Sequence, residues 1–493
     1  MKQVQVLAVD MGAESGRAII GTFDGKKIEL EEVHRFSNLS VRLPDGLHWE
    51  ILYLFNEVIK GIKAGVEKSD DQLKSVGLDT WGVDHALINE KGSLTYLPFH
   101  YRDTRTDEMM EVVFEKISKE KVFEETGIQF MSINTLYQLA ELVESNPISV
   151  QSAKTFLTIP DLLNYWLTGK KVCEYSIATT TQFFNPITKD WSWPLLDAIG
   201  APKDIFPEIV PSGTELGKLL PHVADFTGSD VMTVIAPACH DTGSAVLAVP
   251  FDDGESAYLS SGTWSLLGLE LDEPVINETT LEMNFTNEGG FGDTIRFLKN
   301  ITGLWIVQEC RRYWDSIGEP MNYTEITKLA TEAKPFTCLI DTEYPEFLKP
   351  GDMPNKIVQY AEMTGQEVPQ TKGEIVRSVL ESLAMKYHEE FIKMEQIRGK
   401  RIERLNIVGG GTQNKLLNQF AANALNREVI TGPVEATAMG NILGQLITLG
   451  EIKDVAEARE VVKNSCQLET YTPESVDQWE IAYKRYQELF LTD

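Results

Sequence analysis

Cysteine is scarce in this chain. The five cysteines, Cys173, Cys239, Cys310, Cys338 and Cys466, form no CxxC pair, and their number is odd. That excludes a disulfide framework and a paired-cysteine zinc site, and points to a reducing cytoplasmic setting. Positive charge is also short: 45 Lys and Arg stand against 74 Asp and Glu, a net charge of −29. Such a surface repels phosphate backbones and anionic lipid, so neither nucleic acid nor membrane is an expected partner, although a local positive pocket stays open. No uncharged apolar run approaches the length of a membrane helix. The opening MKQVQVLAVD alternates like a strand and lacks the apolar core of a signal peptide. Two nucleotide motifs are missing as well. There is no GxxxxGK[ST] sequence, and the first strand is followed by Gly12-Ala13-Glu14-Ser15-Gly16-Arg17 in place of GxGxxG. No repeat of fixed period and no basic helix-turn-helix segment is visible.

What is present is an ordinary globular composition, 42% apolar and 24% charged, over 493 residues. That length suits about three average domains or two large ones. Val4–Val9, Arg17–Phe23 and Lys27–Phe36 read as a three-strand meander with a turn at Asp24-Gly25. Trp49, Leu52, Phe55, Ile59, Ile62 and Val66 recur at helical spacing and predict one apolar helix face. Ser75–Thr80 reads as a strand ending in Trp81-Gly82-Val83-Asp84, helices fill much of 105–170, and 174–222 reads as loops and short elements. Val231–Ala238 predicts a strand and Asp241–Ala248 a short helix; Pro250-Phe251-Asp252-Asp253-Gly254 is the expected domain boundary. Then strand, glycine turn and strand recur at Ala257–Ser260, Ser261-Gly262-Thr263 and Trp264–Glu270, which suggests that one fold is duplicated. Later expectations are helices at Ile301–Trp314, with Asn300 near its start, and at Glu374–Ile397, the second amphipathic. A strand at Leu405–Val408, a helix at Leu416–Leu425, a strand at Glu428–Ile430 and a helix at Ala436–Leu449 follow. The alternation predicts an α/β protein.

Three glycine turns follow predicted strands: Asp10-Met11-Gly12, Ser261-Gly262-Thr263 and Gly409-Gly410-Gly411. Glycine lets backbone N–H groups approach a phosphate closely, and Asp10 adds a hard oxygen ligand suited to Mg2+, usually through water. The segment His240-Asp241-Thr242-Gly243-Ser244-Ala245 places a carboxylate at a strand end against a helix start. There it can serve as a general base or simply as a helix cap. Cys239 beside it reads as a small apolar filler. Trp81, Trp264 and Trp305 can stack on a ligand but read first as core aromatics. Arg102 and Arg105 can bind phosphate or pair with Asp103 and Asp107.

The ordered set Asp10-Met11-Gly12, Asp79-Thr80-Trp81-Gly82-Val83-Asp84, Tyr101-Arg102-Asp103-Thr104-Arg105, His240-Asp241-Thr242, Ser261-Gly262-Thr263-Trp264 and Gly409 to Asn414 resembles the FGGY carbohydrate kinase family, from about residue 4 to about 450. The resemblance implies a two-domain actin-like ATPase (ribonuclease H-like) fold, duplicated, with an interdomain cleft. It implies a sugar-binding domain over 1–250 and a nucleotide-binding domain over 251–493. It also implies phosphoryl transfer from MgATP to O1 of a ketose, L-rhamnulose before L-fuculose or a pentulose. A non-catalytic actin-like sugar sensor is the remaining alternative. By position, Asp241 matches the catalytic base; Gly82, His240, Thr242 and Asn300 match sugar contacts. Ala13, Glu14, Ser15, Gly16, Arg17, Thr263, Gln308 and Gly410 match nucleotide contacts, and Asp10 a water-mediated Mg2+ site. Without the resemblance, Asn300 reads as a helix cap and Gln308 as a polar helix face. Glu14 stands where family members often carry a small hydroxyl residue, and an acid there repels phosphate unless it turns outward or reaches Mg2+. Small-molecule ketose and ATP are the expected partners; both a monomer and a dimer are compatible with the sequence.

Overall fold

A computed structural model describes residues 3–69, 72–229, 231–251 and 255–491. Its contacts divide the chain into two compact units. The first comprises Met1–Ala248, Glu270–Leu298 and Ala436–Cys466; the second comprises Val249–Leu269, Lys299–Glu435 and Gln467–Asp493. Asp252, Asp253 and Gly254 of the expected boundary lie outside the described residues. The segments 270–298 and 436–466 pack with the first unit, away from their sequence neighbours.

The first unit is built on a sheet in the order Thr214–Lys218, Thr233–Ala236, Leu73–Thr80, Val4–Met11, Ser15–Phe23, Ile28–Ser37. The N-terminal meander is present, with Val4–Met11 antiparallel to Ser15–Phe23 and that strand antiparallel to Ile28–Ser37. Leu73–Thr80 runs parallel to Val4–Met11, and Thr233–Ala236 runs parallel to Leu73–Thr80. The helix Ile51–Lys68 covers one face with most of the expected stripe: Ile62 and Val66 are buried and Phe55 and Ile59 pack partly buried against the core. It buries Ile51, Leu54, Val58, Ile62 and Val66. Leu52 is 66% exposed, and Trp49 belongs to the preceding strand Gly46–Trp49. Of the expected stripe only Leu52 misses the packed face, whose first turn uses Ile51 and Leu54.

The opposite face is covered by the helix Ala436–Thr448. A Cβ on Gly61 would meet Ala18, whereas one on Gly21 would meet Ile442. Residues three apart on a strand face opposite ways. Helix Ala436–Thr448 also packs on Asp241–Leu247 so closely that a Cβ on Gly440 would sit 1.7 Å from the Ser244 carbonyl oxygen. The small residues of both helices permit this approach. The helix is tied to the sheet by polar side chains. Gln445 Nε2 donates to the Leu7 carbonyl at 2.9 Å, Ser75 Oγ donates to Gln445 Oε1 at 2.7 Å, and Asn441 Nδ2 donates to the Gly77 carbonyl at 3.1 Å.

The second unit repeats the pattern. Ser256–Ser261 is antiparallel to Trp264–Leu271 and parallel to Arg404–Val408; that strand is parallel to Glu428–Thr431, which is antiparallel to Glu469–Tyr471. The same succession (antiparallel, parallel, parallel, antiparallel) holds for Ser15–Phe23, Val4–Met11, Leu73–Thr80, Thr233–Ala236 and Thr214–Lys218 in the first unit. The duplicated α/β sheet is that of the actin-like ATPase fold.

Helix Lys372–Arg398 starts with a capping box, in which Thr371 and Glu374 satisfy each other's backbone N–H groups, and ends at Gly399 with φ +62°. It is buried nearly all round, where an amphipathic helix was expected. The expected helix at Ile301–Trp314 divides differently: Ile295–Thr302 is a strand and the helix is Trp305–Ser316. The apolar spacing of Ile301, Trp305 and Ile306 served both, and Gly303 breaks them. A Cβ on Gly303 would meet the Trp264 backbone at 2.6 Å.

Candidate active site

Parallel strands end at one edge of a sheet, and in the first unit that edge collects carboxylates. Asp10 and Asp79 are direct partners in the parallel pairing of Val4–Met11 with Leu73–Thr80. The next strand brings His240 and Asp241 to the same end, because Thr80 N–H donates to the Cys239 carbonyl at 2.9 Å and Thr80 bridges to His240. Asp10 is held by Arg17, whose Nη2 donates to its Oδ2 at 3.1 Å. Asp79 is fully buried; its Oδ2 accepts from Asn441 Nδ2 at 2.5 Å, and its Oδ1 has no hydrogen-bond partner among the described residues. Burial first, and then the negative charges of Asp10 and Asp241, push the Asp79 carboxyl well above the ordinary carboxylate range. The expected site list omitted Asp79. The signal for it was its place at the end of a predicted strand, one residue before Thr80-Trp81-Gly82.

The segment carrying Asp241 is clamped from below by Glu174. This buried carboxylate accepts Cys239 N–H at 3.0 Å, Ser176 N–H at 2.9 Å and Ser176 Oγ–H at 2.6 Å, while His240 N–H donates to Ser176 Oγ at 3.1 Å. The Cys239 thiol is pushed up by burial and then by Glu174, which fits the filler role expected of it. The short helix begins on Asp241 itself, with His240 at the N-cap and no side-chain capping bond. The carboxylate does not cap: its Oδ1 accepts Thr242 N–H at 2.6 Å and Thr242 Oγ–H at 3.2 Å, and His240 Nε2 lies 3.4 Å away. No described residue donates a hydrogen bond to Oδ2.

Gly82 joins this group. A Cβ on it would lie 3.3 Å from His240 Nε2 and 3.2 Å from Thr180 Oγ1. The chain turns sharply there: Val83 has φ +66° and Asp84 N–H donates to the Gly82 carbonyl at 2.9 Å. Such a three-residue turn is strained for a β-branched residue and persists only where its surroundings hold it. Thr180 Oγ1 accepts Val83 N–H at 3.2 Å and Thr135 Oγ1 donates to its carbonyl at 2.6 Å. Behind the turn, Asp84 Oδ2 accepts Trp49 Nε1–H at 2.6 Å and Trp81 Nε1–H at 2.9 Å. Trp81 is thus a core aromatic. Arg105 takes neither expected role: it pairs with Glu141 at 2.5 Å and donates to Gln138.

Of the loop Ala13–Arg17, Glu14 is exposed, and Gly16 is obligatory, since a Cβ would meet the Phe36 ring at 2.2 Å. The other expected residues lie in the second unit. The turn Gly262-Thr263 is fixed against the start of helix Trp305–Ser316: the Thr263 carbonyl accepts Gly303 N–H and Trp305 N–H, both at 3.2 Å, and the Gly262 carbonyl accepts Leu304 N–H at 3.0 Å. Gln308 is in the first turn of that helix, and its Oε1 is buried without a hydrogen-bond partner among the described residues. The triglycine turn packs on the same strand end. Gly409 has φ +86°, and a Cβ on Gly411 would meet Ser261 Oγ at 2.0 Å, whereas nothing lies near one on Gly410. Thr263, Gln308 and Gly410 therefore share one edge, with an orphaned acceptor and open backbone. Asn300 lies on the strand Ile295–Thr302 and is no cap. Trp305 is buried and donates to the Phe347 carbonyl at 3.0 Å, while Trp264 is half-buried.

The carboxylate edge also fits a hydrated Mg2+. Among the described residues no group of three or more His, Cys, Asp or Glu forms a direct metal cage. Mg2+ usually keeps several waters and uses only one or two carboxylates. Asp10 would supply one such carboxylate, and the charge of a cation there would ease the repulsion between it and the buried Asp79.

Comparison with known proteins identifies the family and the fold. The family models described as the N-terminal and C-terminal domains of the FGGY family of carbohydrate kinases match residues 5–248 and 257–449. A rhamnulokinase of Bacteroides thetaiotaomicron is 43% identical, with 98% of each chain covered. One of Oceanobacillus iheyensis is also 43% identical, over 94% of this chain and 97% of that protein. Among solved structures, a ligand-bound xylulose kinase from Lactobacillus acidophilus superposes with TM-score 0.81 at 15% identity, covering 98% of this chain and 97% of that one. Glycerol kinase of Plasmodium falciparum with ADP gives TM-score 0.79 at 16% identity, over 100% and 99%. The chain belongs to the FGGY family of carbohydrate kinases.

Proposed function

We propose that this chain transfers the γ-phosphoryl group of MgATP to O1 of L-rhamnulose, with Asp241 as general base. The observation that carries the reading is Asp241 itself. Its Oδ1 is occupied by Thr242 and by nearby His240, its Oδ2 accepts no hydrogen bond from a described residue, and it shares a sheet edge with Asp10 and Asp79. Full-length likeness to several proteins named rhamnulokinase supports the choice of ketose.

In this reading Gly82, His240, Thr242 and Asn300 hold the sugar, and Oδ2 of Asp241 takes the proton of the attacking hydroxyl. General base catalysis of this kind contributes about 10²–10⁴-fold. Thr263, Gln308, Gly410 and the loop Ala13–Arg17 hold the nucleotide; Glu14, being exposed, is the weakest member of that set. Asp10, with Asp79 beside it, would hold Mg2+ through water, and the ion would supply positive charge against the phosphates. Arg17 pairs with the Asp10 carboxylate and orients it.

The test is ADP release with Mg2+ over a panel of L-rhamnulose, L-fuculose, L-ribulose and D-xylulose. The expected outcome is the highest kcat/KM for L-rhamnulose. Faster turnover of another ketose overturns the substrate, and ADP release indifferent to every ketose overturns the kinase reading. One methyl group discriminates by only about 1–3 kcal/mol, so the panel must be compared by kcat/KM and not by detection alone.

A further inference from the structure

We propose that Arg296, itself paired with Glu288, positions His240 in the neutral Nε2–H tautomer, so that its proton faces Asp241. The inference deepens the reading above and takes Asp241 as the base from it. Arg296 is fully buried on the strand Ile295–Thr302, within the first unit, and is the direct cross-strand partner of Glu288. Its Nε donates to the Gly289 carbonyl at 2.8 Å, its Nη1 pairs with Glu288 Oε2 at 3.2 Å, and its Nη2 lies 3.0 Å from His240 Nδ1.

A guanidinium has five N–H donors, no acceptor, and is always charged. A contact of 3.0 Å between Nη2 and Nδ1 is therefore a hydrogen bond only if Nδ1 presents its lone pair. Glu288 Oε2 competes for the same nitrogen from 3.4 Å, where it would accept from an Nδ1–H. That alternative sets two N–H groups against each other at 3.0 Å, and Glu288 is already neutralised by Arg296. The ring proton thus belongs on Nε2, which looks towards Asp241 Oδ1 at 3.4 Å and past Gly82. With Oδ1 engaged by Thr242 and approached by this N–H, Oδ2 remains the oxygen for the substrate proton. Arg296 touches neither Asp241 nor the reacting atoms in this scheme; it is a positioning residue acting through His240.

The experiment is a long-range 1H–15N spectrum of the full protein with 15N-labelled histidine, the His240 ring signals being assigned by their loss in His240→Gln. The expected wild-type pattern is an Nε2-protonated ring, and an Nδ1-protonated ring overturns the proposal with no variant needed. Arg296→Met is expected to move the proton to Nδ1, towards Glu288, and to lower kcat about 10–100-fold, as misplaced catalytic groups do. Arg296→Lys, which keeps a donor and a charge, is expected to restore the Nε2–H pattern and part of kcat. Should Arg296→Met fail to fold, Glu288→Gln serves in its place: it removes the charge of the competing acceptor while Arg296 still donates to Nδ1, and it should leave the Nε2–H pattern unchanged. Movement of the proton to Nδ1 in Glu288→Gln would count against Arg296 as the determinant. The tautomer is read without sugar or nucleotide, so an Nε2–H ring in a protein that turns over no ketose refutes the proposed function and leaves this inference standing.

Discussion

Asp241→Asn exchanges one carboxylate oxygen for an amide nitrogen and removes one charge, with almost no change in shape. The side chain has one orientation available. Thr242 N–H and Thr242 Oγ–H both donate to Oδ1, at 2.6 and 3.2 Å, so the amide oxygen must stay there and the NH2 group must occupy the Oδ2 position. That nitrogen cannot accept a proton. Loss of a general base costs about 10²–10⁴-fold in kcat, or roughly 2.7–5.5 kcal/mol of barrier. The fold should hardly notice: both Thr242 bonds persist and the side chain is 26% exposed, so a surface-like cost of about 0.5 kcal/mol or less is expected. Asp79, moreover, loses one of the negative charges that push its carboxyl up. Three measurements are needed together: coupled ADP release for kcat, calorimetric titration of L-rhamnulose, and thermal unfolding. The expected result is a kcat lower by orders of magnitude, with sugar affinity and midpoint close to wild type. A kcat within about fivefold, equivalent to about 1 kcal/mol, removes Asp241 from the chemistry. A collapse of the unfolding midpoint would instead make Asp241 a structural residue and refute the hydrogen-bond argument.

Other perturbations follow from the same geometry. Gly440→Ala places a Cβ 1.7 Å from the Ser244 carbonyl oxygen, which is backbone and cannot step aside; a loss of about 1–3 kcal/mol is expected in denaturant titrations. Gly444→Ala meets only the movable Phe291 ring at 3.0 Å and should cost less; the reverse ranking would contradict the packing described. Burial raises the Asp84 carboxyl from 3.8 to about 6, so the folded state favours its protonated form. Stability from this group is full below about pH 4 and is lost as pH rises through about 6, amounting to about 3 kcal/mol from about 1.4 kcal/mol per unit. Relative to Asp84→Asn, wild-type stability should therefore fall across that window; a parallel pair of curves would refute it. Gln308→Ala removes a buried acceptor with no partner among the described residues, and should raise KM for ATP roughly fivefold, about 1 kcal/mol, with little change in KM for the sugar.

Much of the local structure could be read from residue spacing. Val4–Val9, Ala257–Ser260 and Leu405–Val408 were expected as strands ending in glycine turns, and the strands Val4–Met11, Ser256–Ser261 and Arg404–Val408 stand there. Where apolar spacing fits two answers, the reading slipped. Leu52 carries the right spacing but faces solvent, and Ile301 reads as helix yet lies in a strand. Hydrophobic spacing alone does not specify which side of a helix meets a sheet, or where a glycine interrupts an element. The candidate site divides the same way. Asp10, Gly82, His240 and Asp241 were visible because each closes a strand or turn. Asp79, Glu174, Glu288 and Arg296 were not, because they act on groups far along the chain: Asn441 reaches Asp79 across 362 residues and Arg296 reaches His240 across 56.

What the sequence determined by itself, then, is what depends on neighbours a few positions apart: the strands, the glycine turns at their ends, and an α/β pattern occurring twice. Tertiary structure alone decided that the helix Ala436–Thr448 belongs beside Val4–Met11 and Leu73–Thr80, that Asp79 is buried next to Asp10, and that a buried guanidinium holds the imidazole next to Asp241. The reason is physical. Local conformation follows from short-range sterics and hydrogen bonding, which leave a period in the sequence. Burial and charge pairing depend on which distant surfaces exclude water from one another, and they leave no period to read.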